Sequence, residues 1–242
     1  MFNNPFANMT LVVKNLLILN VLMFVAQFSI PWVNEYLPLY TFSSPEFRPV
    51  QIITHFFMHS TSGFMHIFFN MYALVMFGSQ LERVWGPSRF LFFYFVTAFG
   101  AAILHGLVIE WEVANLVAQL PEDVLAEYKN NAELGSYPSE YIGIVQQIFY
   151  KHTIPVVGAS GAVFGLLAGF AYLFPNTELH LMFPPISVKV KWFVLIYAGI
   201  ELYLGFANNP NDNVAHFAHL GGALFGFLLV HYWNKTNKNS FY

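Results

Sequence analysis

A serine hydroxyl becomes a nucleophile when a base removes its proton, and a neutral imidazole with an ordinary pKa of about 6.5 is suited to that task. The sequence carries such a pair on two apolar, glycine-striped stretches. Ser160 opens one, Val156-Val157-Gly158-Ala159-Ser160-Gly161-Ala162-Val163-Phe164-Gly165, which runs apolar to Phe174. His219 lies on the other, where Ala215, His219, Gly222 and Gly226 follow one another at spacings of four, three and four and set a single imidazole on a small-residue stripe. Attack on a carbonyl creates an oxyanion that needs donors. The Ser160 backbone N–H, at the open start of a helix beginning near Gly158, could supply one. His66 and Asn70, four apart and so on one helix face, could supply others. No spacing ties an acidic group to His219: Glu201 falls in the middle of a different apolar run and Asp212 in the loop before the last one. A Ser-His dyad is the economical reading.

A serine in an apolar helix ordinarily returns its hydroxyl to a carbonyl one turn back and has no chemical role. The flanking Gly158 and Gly161, the spacing Gly161, Gly165, Gly169, and the histidines in other apolar segments argue otherwise here. Small residues four apart give a helix one flat face, so a second helix can approach closely. If the glycine face of the serine helix packs on the glycine face of the His219 helix, hydroxyl and imidazole meet.

The elements that must position these groups lie in a bilayer. Of 242 residues 57% are hydrophobic, 19% aromatic and 10% charged, far from the soluble average of about a quarter charged. The near-balanced charge, formally −3, offers no basic face for nucleic acid. Lack of cysteine removes disulfides, thiolate catalysis and thiolate metal sites together. The chain is expected to be a single membrane domain over residues 1–242, all-α, with six crossings of about 20 residues each.

In order, those crossings are Leu11 to Ile30, Gly63 to Leu81, Phe90 to Val108, Val157 to Phe174, Val188 to Phe206 and Val214 to Trp233. The first is too long for the core of a signal peptide. Pro31 to Ser62, aromatic, proline-bearing and holding His55 and His59, reads as an interfacial loop partly dipped into the bilayer. Gly86 and Pro87 end the second crossing, with Trp85 at a headgroup position. Residues 109–152, with seven acidic residues and only two lysines, read as an external insertion with an amphipathic helix around Pro121 to Asn130. Lys14, Arg83, Arg89, Lys189, Lys191, Lys235 and Lys238 fall on one side, against Arg48, Lys129 and Lys151 on the other. The positive-inside rule then puts both termini in the cytoplasm and Ser160 toward the external face.

These motifs resemble those of the rhomboid family of intramembrane serine proteases. Gly158-Ala159-Ser160-Gly161 is similar to its G-x-S-G signature. Ala218-His219-Leu220-Gly221-Gly222 followed by Gly226 resembles its A-H-x-x-G-x-x-x-G helix, and His66-Ile67-Phe68-Phe69-Asn70, preceded by His59, its H-x-x-x-N motif. Gly78, Glu82 and Gly86 match the pattern closing its second helix. The matches run in order from His55 to Trp233. The Trp-Arg pair often found in the family's first loop would fall near Val50-Gln51 here.

The resemblance implies a six-helix, rhomboid-like bundle that cuts transmembrane or juxtamembrane segments of other proteins. Ser160 would be the nucleophile, His219 the general base and acid, and His66, Asn70 and the Ser160 backbone the oxyanion donors. Phe164, one turn after the serine, would stack on His219; Gly158, Gly161, Gly222 and His59 would support the site. No cofactor is expected. His55, His59 and His66 could be imagined around a metal, but there is no H-E-x-x-H and no carboxylate nearby. The partners implied are transmembrane protein substrates and the lipid bilayer, and the expected location is a bacterial inner membrane. His55, His59 and His216 read otherwise as structural or water-facing groups, and Glu82 as a cytoplasmic anchor bonding backbone N–H groups. The alternative function is that of a catalytically silent rhomboid-like binder or escort of membrane proteins. A small transporter is a weaker alternative, since the chain lacks repeated halves.

Overall fold

The computed structural model describes residues 9–129, 137–181, 185–207 and 214–236. They form a mostly helical bundle. Three helices are long and apolar enough to cross a membrane: α1 (Leu11–Ser29), α6 (Pro87–Val117) and α10 (Val190–Ala207). Between them come α2 (Pro31–Tyr36), α3 (Gln51–Thr54) continued by a 3₁₀ turn His55–Phe57, and α4 (Met65–Ala73), joined through a π-type turn Leu74–Gly78 to α5 (Ser79–Trp85). After α6 follow α7 (Glu122–Lys129), α8 (Ile142–Thr153) and α9 (Ser160–Leu173). A hairpin, β1 (Glu178–His180) antiparallel to β2 (Ser187–Lys189), leads into α10, and α11 (His216–Thr236) follows.

The expected boundaries shift most at two places. The second crossing runs on from Leu81 to Trp85 and stops where Gly86 takes φ 78°, a conformation open to glycine, before Pro87 starts the next helix. The helix expected over residues 90–108 continues to Val117, so the first part of the insertion is helix. The amphipathic helix expected around Pro121 to Asn130 is α7. Lys238, Asp212 and residues 208–213 of the last loop lie outside the described residues.

α9 is the axis of the bundle. Every residue from Gly161 to Phe170 is buried, as befits a helix apolar all round. α6 lies against one side of it and α11 against another. The expectation that glycine face meets glycine face holds for one direction only. A Cβ on Gly222 would meet the Gly161 carbonyl oxygen at 1.8 Å, and one on Gly226 the Gly165 oxygen at 2.7 Å. The glycines of α9 look elsewhere, toward α6: a Cβ on Gly161 would meet Ala101 Cβ at 2.4 Å, and one on Gly165 would meet Thr97 Cβ at 2.4 Å. Three helices therefore close on one another, with α11 seated on the backbone of α9 and α9 seated on small side chains of α6.

At one end of the bundle Glu82 accepts hydrogen bonds from Val12 N and Val13 N, both at 3.0 Å, and from the Thr10 hydroxyl. The carboxylate thus caps the open first turn of α1, the backbone anchor its position suggested. Trp85 and Trp233 meet edge to face, 5.5 Å between centroids, at that same end. Ser160, His66 and His219 sit at the first turns of α9, α4 and α11, at the opposite end.

Candidate active site

Gly158 sets the site up. Its φ of 132° is a backbone conformation that residues with a Cβ rarely adopt, and an added Cβ would lie 3.0 Å from His66 Cε1 and 3.4 Å from Ser160 Oγ. Its N–H donates to the His55 carbonyl at 3.0 Å. The chain turns at this residue, and Ser160 becomes the first residue of α9. The leading N–H groups of that helix have no acceptor within it.

The two groups expected to react are in contact. Ser160 Oγ lies 2.9 Å from His219 Nε2. His219 Nδ1 lies 2.9 Å from Glu201 Oε2. A carboxylate only accepts, so Nδ1 carries the imidazole proton and Nε2 accepts from the serine hydroxyl. Phe164 stacks on the His219 ring, centroids 4.3 Å apart and planes within 6°. The serine therefore does not return its hydroxyl to the helix but spends it on the imidazole of α11.

His66 is oriented by a loop amide. Ser60 N–H donates to His66 Nδ1 at 3.1 Å, so in the neutral ring the proton sits on Nε2, the atom that faces Gly158 beside Ser160. Asn70 donates through Nδ2 to the His66 carbonyl at 2.8 Å. That bond uses one of its two amide hydrogens. His59 is wholly buried and meets the His66 ring edge to face at 5.3 Å. Neither of its ring nitrogens has a hydrogen-bond partner among the described residues, so its support of His66 is by packing. A cavity of about 10 Å³, room for roughly one water, adjoins Ser160 between His55, Phe56, Ala98, Ala101 and Gly158.

The sequence reasoning missed Glu201. It is 4% exposed, and its Oε2 receives His219 Nδ1 and also His216 Nδ1, the latter at 2.7 Å. The expectation that no acidic group reaches His219 is thus corrected, and His216 is neither water-facing nor a bystander. No signal within α11 could reveal this, since the carboxylate comes from α10. The hint available was a lone acid in an apolar run. Glu201, His216 and His219 are also the described residues whose donor atoms, all within 4.8 Å of one another, could hold a cation. Of the three histidines weighed for a metal, His55 Nδ1 faces the Gln51 carbonyl at 2.7 Å and His66 Nδ1 the Ser60 amide, while both ring nitrogens of His59 lack a partner among the described residues.

Gln51, near where the resemblance would set a Trp-Arg pair, anchors the first loop. Fully buried, its amide oxygen accepts from Arg48 N at 3.0 Å and Tyr40 N at 3.4 Å, and its nitrogen donates to the carbonyls of Glu46 at 2.9 Å and Tyr36 at 3.1 Å. One side chain thereby ties four points of the first loop. Gln27 fastens the loop's other end, exchanging hydrogen bonds of 2.8 and 2.9 Å with the His59 backbone.

Comparison with known proteins gives the family. The profile of the Rhomboid domain matches residues 46–114 and 139–235, most of the chain, and the chain belongs to the rhomboid family. It is an integral membrane protein. It is 28% identical over 167 residues to RHOMBOID-like protein 4 of Arabidopsis thaliana, covering 69% of this chain and 30% of the relative. It is 29% identical over 195 residues to Rhomboid protein 1, mitochondrial, of Saccharomyces cerevisiae, covering 77% of this chain and 42% of the relative. It is 24% identical over 182 residues to Rhomboid protease AarA of Providencia stuartii, covering 75% and 53%. The chain thus spans about a third to a half of the length of these relatives.

Proposed function

We propose that this protein is an intramembrane serine endopeptidase that cleaves transmembrane or juxtamembrane segments of other membrane proteins. Ser160 is the nucleophile and His219 the general base and then the general acid. The observation that carries the reading is the Ser160 Oγ to His219 Nε2 contact of 2.9 Å, made by an imidazole whose tautomer leaves Nε2 free to accept.

In the first half-reaction Ser160 Oγ attacks the scissile carbonyl while its proton passes to His219 Nε2. The electron pair displaced onto the carbonyl oxygen meets the Ser160 N–H, His66 Nε2–H and the second amide hydrogen of Asn70. As the tetrahedral carbon collapses, the C–N bond breaks and His219 returns the proton to the leaving amine. Water then attacks the ester carbonyl as His219 takes its proton, and the C–O bond to Ser160 breaks as His219 returns that proton to Oγ, releasing the acid product.

The single membrane domain crosses six times, through α1, α4–α5, α6, α9, α10 and α11. Positive charge at the Glu82 end supports an orientation with both termini in the cytoplasm and the site open to the external side, in what we take to be a bacterial inner membrane. α10 buries few of its residues and is the mobile gate for substrate, which must unwind locally to present a peptide bond.

The reading is tested by reconstituting the protein in vesicles with a single-span reporter substrate. Cleavage by the unaltered protein and none by Ser160→Ala supports it. Binding of the reporter without cleavage by either favours the silent binder instead.

A further inference from the structure

Glu201 sits where an acid is expensive. Apart from Lys191 in its first turn α10 carries no other charge, and among its described residues only Val190 and Glu201 are buried. A carboxylate in such surroundings is tolerated when it is paired and hydrogen-bonded. A mere strap between α10 and α11 would be complete with His216, whose Nδ1 lies 2.7 Å from Oε2. Yet the same oxygen reaches 2.9 Å to His219 Nδ1, the ring nitrogen opposite the one that takes the Ser160 proton. The ring is thereby held from three directions: serine at Nε2, carboxylate at Nδ1, and the Phe164 ring stacked on its face.

We infer that Glu201 completes a Ser160–His219–Glu201 array as a positioning residue, with His216 in turn fixing the carboxylate. Its first effect is on the tautomer: an acceptor at Nδ1 keeps the proton there, so that Nε2 is always the base. Its second is electrostatic. When the Ser160 proton moves to Nε2, positive charge appears on the ring 2.9 Å from Oε2, in a site with little water to screen it. Glu201 itself gains no proton and no covalent bond. Two imidazole N–H groups on one oxygen hold the carboxylate ionised and in place. Because Glu201 belongs to α10, the array is whole only while α10 rests on α11, which couples the proposed gate to the readiness of the base.

This inference rests on the protease reading, and its test separates the two. Rates of reporter cleavage in vesicles are measured for the unaltered protein, Ser160→Ala, His219→Ala and Glu201→Gln. Cleavage surviving in Ser160→Ala would sink the protease reading itself. With Ser160→Ala silent, Glu201→Gln is expected to lower kcat by about 10²- to 10⁴-fold while KM stays within about threefold, the pattern of an orienting group lost. A kcat loss below about tenfold, or a loss confined to KM, overturns the role for Glu201 and leaves the dyad standing. Should Glu201→Gln fail to fold, the ring is read directly in the unaltered protein labelled with ¹⁵N-histidine, the His219 signals being those missing in His219→Ala. A protonated Nδ1 with an unprotonated Nε2 is expected; a proton on Nε2 in the neutral ring overturns the inference.

Discussion

Gly158 and His66 define the site as sharply as the serine does. A methyl group at position 158 would force φ 132° on an alanine and bring its Cβ to 3.0 Å from His66 Cε1. Gly158→Ala is therefore expected to lower reporter cleavage at least about a hundredfold, the usual cost of losing one oxyanion donor. The check is kcat alongside a melting curve; cleavage within tenfold of the unaltered rate would show that His66 does not serve Ser160. The meeting of Ser160 with His219, the Phe164 ring on that imidazole and the place of His66 beside Gly158 were legible because each residue belongs to a short motif on one element. Glu201 was not, because it lies 18 residues from His219 on another helix, and only helix-to-helix packing brings it near. His59 was legible as a neighbour of the site, but whether it would donate or merely pack was not.

Among the elements, α9 and α11 depend on the absence of side chains where they touch. Gly222→Ala would drive a Cβ into the Gly161 carbonyl oxygen and is expected to cost about 3 kcal/mol or more, since backbone cannot yield as a side-chain tip can. Thermal unfolding in detergent reports it, and an unchanged midpoint would refute the packing of α11 on α9. Glu82→Gln should cost about 1–2 kcal/mol by weakening the cap on α1 without touching the active-site end. The expected signature is a lower melting temperature with kcat preserved; a kcat loss would show that the two ends are coupled. The apolar runs announced α1, α9, α10 and α11 within a few residues. The end of α6 was misjudged because Glu110, Trp111 and Glu112 look like the start of a soluble loop. Their charges are answered from afar: Ser43 N–H donates to Glu110 at 2.8 Å, and Lys151 pairs with Glu112 at 2.6 Å. Periodicity within the segment carries no trace of such partners.

The insertion acts on the whole molecule, a role its sequence did not reveal. With the end of α6 it forms a small core of its own around Val113, Leu120, Val124, Tyr137, Val145 and Ile148. From there it reaches the first loop. The Thr41 hydroxyl donates to the Lys151 carbonyl at 2.6 Å and the Ser44 hydroxyl to the His152 carbonyl at 2.8 Å, while Leu39 pairs as an antiparallel bridge with Val156, two residues before Gly158. His152 also contacts Tyr128 and Ser43 through its two ring nitrogens. Burial keeps the His152 pKa below its ordinary value, and burial holds that of His55 down at about 4. Each imidazole holds its proton less readily in the fold than in the unfolded chain, which therefore binds more protons than the folded one below about pH 6.5. Stability from this source is present in full above that pH and is lost as pH falls toward about 4. The melting temperature should decline from pH 7 to pH 5, and His152→Gln should flatten the decline; a slope untouched by that substitution would exclude His152 as a contributor. The proposed gate belongs to this scale too. Because the chain has no cysteine, an introduced pair joining α10 to α4 can be closed cleanly. Closure should stop cleavage of a membrane substrate, and undiminished cleavage would dismiss α10 as the gate.

The most direct test of the central claim asks whether the Ser160 hydroxyl is activated by His219. The purified, folded protein is exposed to a fluorophosphonate probe and the labelled residue is located by mass spectrometry. Labelling at Ser160 that disappears in His219→Ala, with both proteins melting alike, is the predicted result. Absence of labelling in the folded unaltered protein, or labelling that persists without the imidazole, would contradict it.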